Sequence, residues 1–412
     1  MDIKRKVFQN TALQYTSRFG IILLSLVTTS ILTRFLGASG YGRFGIISTL
    51  VIFFVTLADW GTQAISVREA SRAKHDTSSI FASAAALRTA IALIATSVYI
   101  VVVAVYPNFS PFRISAWLAS PIILLLSLKT SALIIHQVRL NLFFPSLAEF
   151  LNSFTFFLLL LFLAKTSQLS LSTVILSLIA GSLVNVSLSL IPVYKQLLIL
   201  SPKAKTISYL LIQSLPMGAY LALFSVYNRI DTFILQRFHG DIAVGMYILP
   251  YKVHENFILG AAYFMNAVYP LISRDPKTAK ILFQKIFAFL VPVSFLVAVI
   301  GFFLASPIIN TLGGPDFTPS VNVMRILFFA TAISYLNHLT GYTLIAIGKQ
   351  WHSLKFAVFA LFLNLSLNLL FIPKYSYTAS AVITVVTEAF MLSVTLLFLI
   401  KNQSFFSPVP KP

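Results

Sequence analysis

Four cations, Arg18, Lys129, Arg229 and Lys252, and four acids, Asp59, Asp231, Glu255 and Glu388, stand within or at the ends of long apolar runs. A charge in hydrocarbon is costly, so such residues pair with one another or face a bundle interior or a water-filled path for ions or substrate. Taken together, Arg18, Arg229, Lys252 and Lys129 describe a cavity more cationic than anionic. A positive field in a low-dielectric groove attracts anions, phosphates above all, because the guanidinium fork matches their geometry. The chemistry these residues point to is recognition of a phosphate-bearing cargo, not bond breaking.

Each position has a functional reading and a plain one. In the first apolar run Asn10, Gln14, Arg18, Ser25 and Thr28 fall within about 80° at 100° per residue. They form a polar stripe in which Arg18 lies about 18 Å beyond Lys6 along the helix. Asn10 and Gln14 could serve as packing glue, and Arg18 could snorkel. Arg229 and Asp231 are two apart and cannot share one helix face. They follow Pro216 and Gly218, a pair that predicts a hinge because proline removes a backbone bond. Lys252 and Glu255, at i and i+3, share a face and could neutralise each other. Glu388 stands eleven residues beyond Tyr377, near the middle of the last run, with no partner on its own helix. Lys129 and His338 are lone polar groups at intermediate depth. Asp59, Glu149 and Arg325 lie nearer helix ends, where headgroups could solvate them. Asn364 and Asn368, at i and i+4, read first as packing glue.

Signatures of catalysis are missing. There is no phosphate loop of the form G-x-x-x-x-G-K-[ST] and no G-x-S-x-G elbow, and His254-Glu255-Asn256-Phe257-Ile258 lacks the second histidine of a zinc helix. The six histidines never form a ligand-spaced pair on one helix, and the cysteine count of zero removes thiolate metal sites and disulfides. The expectation is a transporter with no metal and no bound cofactor, not an enzyme. Coupling to H⁺ or Na⁺ through Asp59, Asp231, Glu255 or Glu388 is the expected energy source, with membrane potential as the alternative.

The elements that position these groups follow from composition. Of 412 residues 58% are hydrophobic and 10% charged, against about 25% charged in a soluble domain. A helix crosses hydrocarbon with about 20 apolar residues. The apolar runs predict helices near 9–33, 42–64, 80–105, 115–137, 144–164, 170–194, 207–235, 243–272, 283–305, 321–346, 353–372 and 378–400. That is an all-α polytopic membrane protein with twelve spans. The net charge of +19 then belongs to the membrane surface and not to nucleic acid. With the N-terminus inside, eighteen of the 30 Lys and Arg fall in cytoplasmic segments and six in outer loops. That bias sets both termini in the cytoplasm. The basic start lacks a small-residue cleavage site, so the first helix is expected to be retained. No loop is long enough for a separate extramembrane domain.

A repeat divides the chain. Arg34-Phe35-Leu36-Gly37 running to Gly42 and Phe44 aligns with Arg237-Phe238-His239-Gly240 running to Gly245 and Tyr247, at an offset of 203 residues. Each copy joins the first and second helices of its half. Six helices per half makes the halves parallel repeats about a pseudo-two-fold axis along the membrane normal, with lobes expected at 1–200 and 201–412.

With these motifs in view, the chain resembles the Wzx-type oligosaccharide flippases of the multidrug/oligosaccharidyl-lipid/polysaccharide exporter superfamily. The matching pieces are the basic start with Asn10, Leu32 to Gly37 into Gly40 to Phe44, Ala58-Asp59-Trp60-Gly61 with Arg68, Arg229-Ile230-Asp231 before Gly245 to Tyr247, Asn364 to Asn368 with Pro373-Lys374-Tyr375, and Glu388. The resemblance implies two six-helix lobes, alternating access, and a polyprenyl-pyrophosphate-linked oligosaccharide as cargo, with a bacterial or archaeal cytoplasmic membrane as the setting. It also implies membrane lipids and polysaccharide polymerase machinery as partners. In the related lipid II flippases basic residues on helices 1 and 8 hold the pyrophosphate, which corresponds here to Arg18 and Lys252. Those flippases have fourteen helices, so lipid II is the less fitting cargo. A cation-coupled multidrug exporter of the same superfamily is the rival transporter. A membrane-embedded polymerase or glycosyltransferase is the rival from another class, and it would need a large extracytoplasmic loop.

Overall fold

In hydrocarbon every backbone N–H and C=O must be satisfied within its own segment, which leaves the helix as the form an apolar chain of this kind adopts. A computed structural model describes residues 3–72, 77–194, 202–273 and 276–402. It is helical throughout apart from short connections, with no strand among the described residues. In chain order the helices are α1 Ile3–Asp59, α2 Thr62–Arg72, α3 Thr77–Val105, α4 Arg113–Leu118, α5 Pro121–Val138, α6 Phe143–Lys165, α7 Leu171–Leu190, α8 Ala204–Ile272, α9 Pro276–Gly313, α10 Ser320–Ala346 and α11 Gln350–Lys401. Eight helical stretches among the described residues are long and apolar enough to cross a membrane.

Three helices run past 50 residues: α1 has 57, α8 69 and α11 52, where about 20 suffice for one crossing. Each is interrupted once. α1 leaves helical geometry at Gly37 (φ 67°, ψ −178°) and α8 at Gly240 (φ 74°, ψ −171°). Both lie in a region that glycine enters readily and other residues essentially do not. The two glycines are the 203-residue repeat in physical form, since the same residue makes the same break in each half. α11 breaks at Ser376 (φ 55°, ψ −143°), where a side chain occupies a strained conformation. Between α4 and α5 the expected single helix over 115–137 divides at Ala119–Ser120, because Pro121 starts a new helix and offers no N–H to continue the old one.

The chain forms two compact units, Met1–Arg229 and Ile230–Pro412. Residues 204–229, which the sequence assigns to the second lobe, fall in the first unit. In that unit Phe81, Leu87, Ile134, Ile135 and Leu210 share one buried cluster; in the second, Met265, Ile286, Leu339 and Leu399 share another. Outside these cores the surface is apolar: Val105, Phe295, Phe303 and Phe359 are all largely exposed. This is the inverse of a water-soluble surface and suits contact with lipid.

Candidate functional site: charged groups within the two helical units

The first unit neutralises two of its internal cations with carboxylates. Arg88, 1% exposed, donates from Nη1 to Asp59 Oδ1 at 2.5 Å and to Thr62 Oγ1 at 2.7 Å. Thr62 Oγ1 in turn donates to the Asp59 carbonyl. Lys129 Nζ lies 2.6 Å from Glu149 Oε1, so this expected cargo ligand is ion-paired to the neighbouring helix. Arg43 stacks over the Phe112 ring at 5.6 Å. Arg18 differs. It is exposed on α1 beside exposed Gln14, and it has no hydrogen-bond or ion-pair partner among the described residues. The side chain of Asn10 lies outside the described residues. Arg229 closes the unit, half-buried and engaged with neighbouring groups.

One turn organises this arrangement. After Asp59 the chain passes through Trp60 (φ 45°) and Gly61 (φ 70°), two successive left-handed residues, before α2 begins. Trp60 lies against Gly218, where a Cβ would fall 2.6 Å from the indole ring, and Gly61 faces Met217 as closely. The backbone leaves helical geometry at Gly240, not at Pro216 or Gly218; the absent side chain of Gly218 makes a seat for Trp60. The start of α8 is tied to α2 by polar contacts as well, with Tyr209 OH donating to Glu69 Oε2 and Arg68 Nη2 to Gln213 Oε1.

The second unit holds carboxylates on hydroxyl and amide donors. Asp231, 8% exposed, accepts at Oδ2 from Tyr247 OH at 2.6 Å and at Oδ1 from the Thr232 N–H at 2.7 Å. The Tyr247 hydroxyl lies 3.4 Å from Thr384 Oγ1. Glu388 Oε2 accepts from Asn337 Nδ2 at 2.7 Å, and the same amide reaches the Glu388 carbonyl. Asn364 and Asn368 bond to each other and, through Asn364, to Thr387. Lys252 and Glu255 are half-buried on α8, each engaged with neighbouring groups. No group of three or more His, Asp or Glu side chains converges among the described residues. A carboxylate such as Glu388, held by an amide donor in a low-dielectric interior, is suited to taking up a proton or a small cation.

Several partners escaped the sequence reading: Arg88, Tyr247, Asn337 and Thr384. Arg88 carried a signal, being a charge in the apolar run over 80–105, and Tyr247 closes the second copy of the repeat. Asn337 and Thr384 carried none, since a neutral polar residue in a membrane helix is common.

The family model described as "Polysaccharide biosynthesis protein" matches residues 7–275, more than half of the chain, and the model described as "MatE" matches residues 216–370. No curated protein sequence matches the chain. Among solved structures, an inward-facing multidrug resistance MATE family transporter of the MOP superfamily superposes with a TM-score of 0.74 at 12% identity, covering 95% of this chain and 94% of that one. The lipid II flippase MurJ in an inward closed conformation gives 0.72 at 16% identity, covering 96% and 89%. An outward-facing MATE family transporter gives 0.68 at 13% identity, covering 99% and 98%. At these identities the likeness is one of fold.

Proposed function

The chain belongs to the polysaccharide biosynthesis protein family, a multi-pass membrane transporter of the MOP superfamily and of its flippase or MATE-type class, and from that premise we propose that it flips a polyprenyl-pyrophosphate-linked oligosaccharide from the inner to the outer face of the cytoplasmic membrane. The observation that carries the anionic cargo is Arg18. Arg88 and Lys129 are neutralised by Asp59 and Glu149, whereas Arg18 is exposed and keeps its guanidinium available. A fork of N–H donors at a membrane interior is suited to a pyrophosphate. The sugar head would be carried by alternating access while the polyprenyl tail stays in the bilayer.

No nucleotide-hydrolysing motif is present, so the energy comes from gradients in this reading. Asp231 and Glu388 are the proposed H⁺ or Na⁺ acceptors, with Asp59 and Glu255 next. Membrane potential acting on the charged cargo contributes about 2.3 kcal/mol per charge per 100 mV. Polysaccharide polymerase machinery is the proposed consumer of the product.

Transport in proteoliposomes of a fluorescent polyprenyl-pyrophosphate-linked sugar, set against a cationic dye such as ethidium, tests the reading. Movement of the lipid-linked sugar alone supports it. Movement of the dye alone overturns it in favour of a cation-coupled multidrug exporter, a reading favoured by the match of residues 216–370 to the MatE model.

A further inference from the structure

An apolar groove of about 470 Å³ lies on the face shared by α9 and α10, with Phe295, Ala298 and Phe302 on one wall and Phe329, Ala332 and Leu336 on the other. Positions 295, 298 and 302 follow one face of α9. On α10 the stripe begins earlier. Arg325, Phe329, Ala332 and Leu336 recur at i, i+4, i+7 and i+11, so a guanidinium heads the apolar row. Arg325 stacks over the Phe302 ring at 4.9 Å, which fixes it at that end of the groove. Its hydrogen bond is a long one, 3.4 Å from Nη1 to Asn322 Oδ1, and its buried Nε has no partner. The two helices meet closely because Gly301 presents no side chain to Phe328.

We propose that this groove is a binding site for one anionic phospholipid, an acyl chain lying between α9 and α10 and the phosphate held by Arg325. Length argues for it. Eleven residues from Arg325 to Leu336 span about 16 Å at 1.5 Å per residue, which matches one leaflet of a hydrocarbon core about 30 Å thick. Depth agrees, since Arg325 is in the second turn of α10 and Leu336 is well inside it. Charge argues for it too: among the described residues Arg325 has no acidic partner, and one cation complements one phosphodiester. The proposal does not rest on the cargo assigned above, which draws on Arg18 of the first unit.

Native mass spectrometry of the full chain, purified, delipidated and titrated with phosphatidylglycerol or phosphatidylcholine of the same acyl chains, tests this. One phosphatidylglycerol is expected to stay bound per chain, with a preference of about fivefold over phosphatidylcholine. Arg325→Gln should abolish the preference while leaving some binding, whereas Ala332→Trp should fill the groove and lower retention of both lipids. Ala298→Leu, a smaller intrusion on the other wall, should weaken both in the same way if Ala332→Trp does not fold. Unchanged retention in Arg325→Gln and in a folded groove variant would overturn the site. Stronger retention of a polyprenyl monophosphate than of phosphatidylglycerol would overturn the assigned occupant.

Discussion

Tyr247 donates its hydroxyl to Asp231 at 2.6 Å across sixteen residues of α8, over the break at Gly240. The bond joins the first helix of the second half to the helix that follows, and it has no counterpart in the other half. At the repeat offset, Asp231 corresponds to Thr28 and Tyr247 to Phe44, a pair in which Thr28 bonds back to its own helix at the Ser25 carbonyl and Phe44 has no hydroxyl. Both halves share the glycine break, but only the second carries Asp231 nine residues before it and Asp241 directly after it. Asp231 is therefore one place where the two halves diverge in chemistry while keeping the same backbone.

Removing the donor separates support from coupling. Tyr247→Phe leaves a buried acceptor one bond short, a loss of about 1–3 kcal/mol, and a lower unfolding midpoint in detergent is expected. Asp231→Asn keeps the side-chain shape while deleting the charge. Vesicle flux under imposed H⁺ or Na⁺ gradients should lose its ion dependence in Asp231→Asn and keep it in Tyr247→Phe.

Arg18 is predicted to act on cargo and not on folding. Arg18→Ala should abolish flux of a lipid-linked sugar with no change in thermal midpoint, and Arg18→Lys should retain part of it, because an ammonium keeps the charge and loses the fork. Normal flux through Arg18→Ala would reduce the residue to a snorkelling side chain.

Arg88 and Asp59 should behave as one unit. Deleting a single member of a fully buried pair typically costs about 3–5 kcal/mol, less here because Asp59 is 23% exposed, while replacing both by apolar residues is often close to neutral. Arg88→Met alone is thus expected to destabilise more than the double substitution Arg88→Met, Asp59→Leu. Unfolding midpoints of the two singles and the double give the coupling directly.

The seat of Trp60 on Gly218 predicts a steric suppressor. Gly218→Val drives a branched side chain into the indole, and overpacking of this kind costs about 1–3 kcal/mol. Trp60→Ala should recover part of that loss when combined with Gly218→Val, although alone it destabilises by leaving a void. Additive losses in the double variant would show that the two positions do not meet.

Ser376 occupies a backbone region that costs a residue with a side chain about 1–3 kcal/mol. Ser376→Gly is expected to leave stability unchanged or raise it, and Ser376→Val to lower it further. Detergent unfolding of the pair reads the sign.

Much of this protein was written in its composition. Apolar runs of about 20 residues specify membrane helices whatever surrounds them, because the solvent there offers no hydrogen bonds. For that reason the expected runs fall largely on helix in the structure, with breaks at Trp60–Gly61 and Ala119–Ser120. The repeat was legible for a related reason: the glycine at 37 and again at 240 is dictated by a local backbone conformation and needs no distant partner. Fold class followed from those local rules, while the superfamily came from motifs along the chain that resemble a known family.

Which charges remain open was decided by tertiary structure alone. Lys129 and Arg18 look alike in sequence, each a lone cation in an apolar run. Only the packing of α5 and α6 against the same two helices, α1 and α7, brings Lys129 to Glu149, while Arg18 is left exposed on α1. Gly218 reads in sequence only as a companion of Pro216, and the fold adds that Trp60, about 160 positions earlier, rests on it. In each case the deciding contact spans separate helices, and sequence spacing along one helix carries no information about which residue a neighbouring helix will bring to meet it.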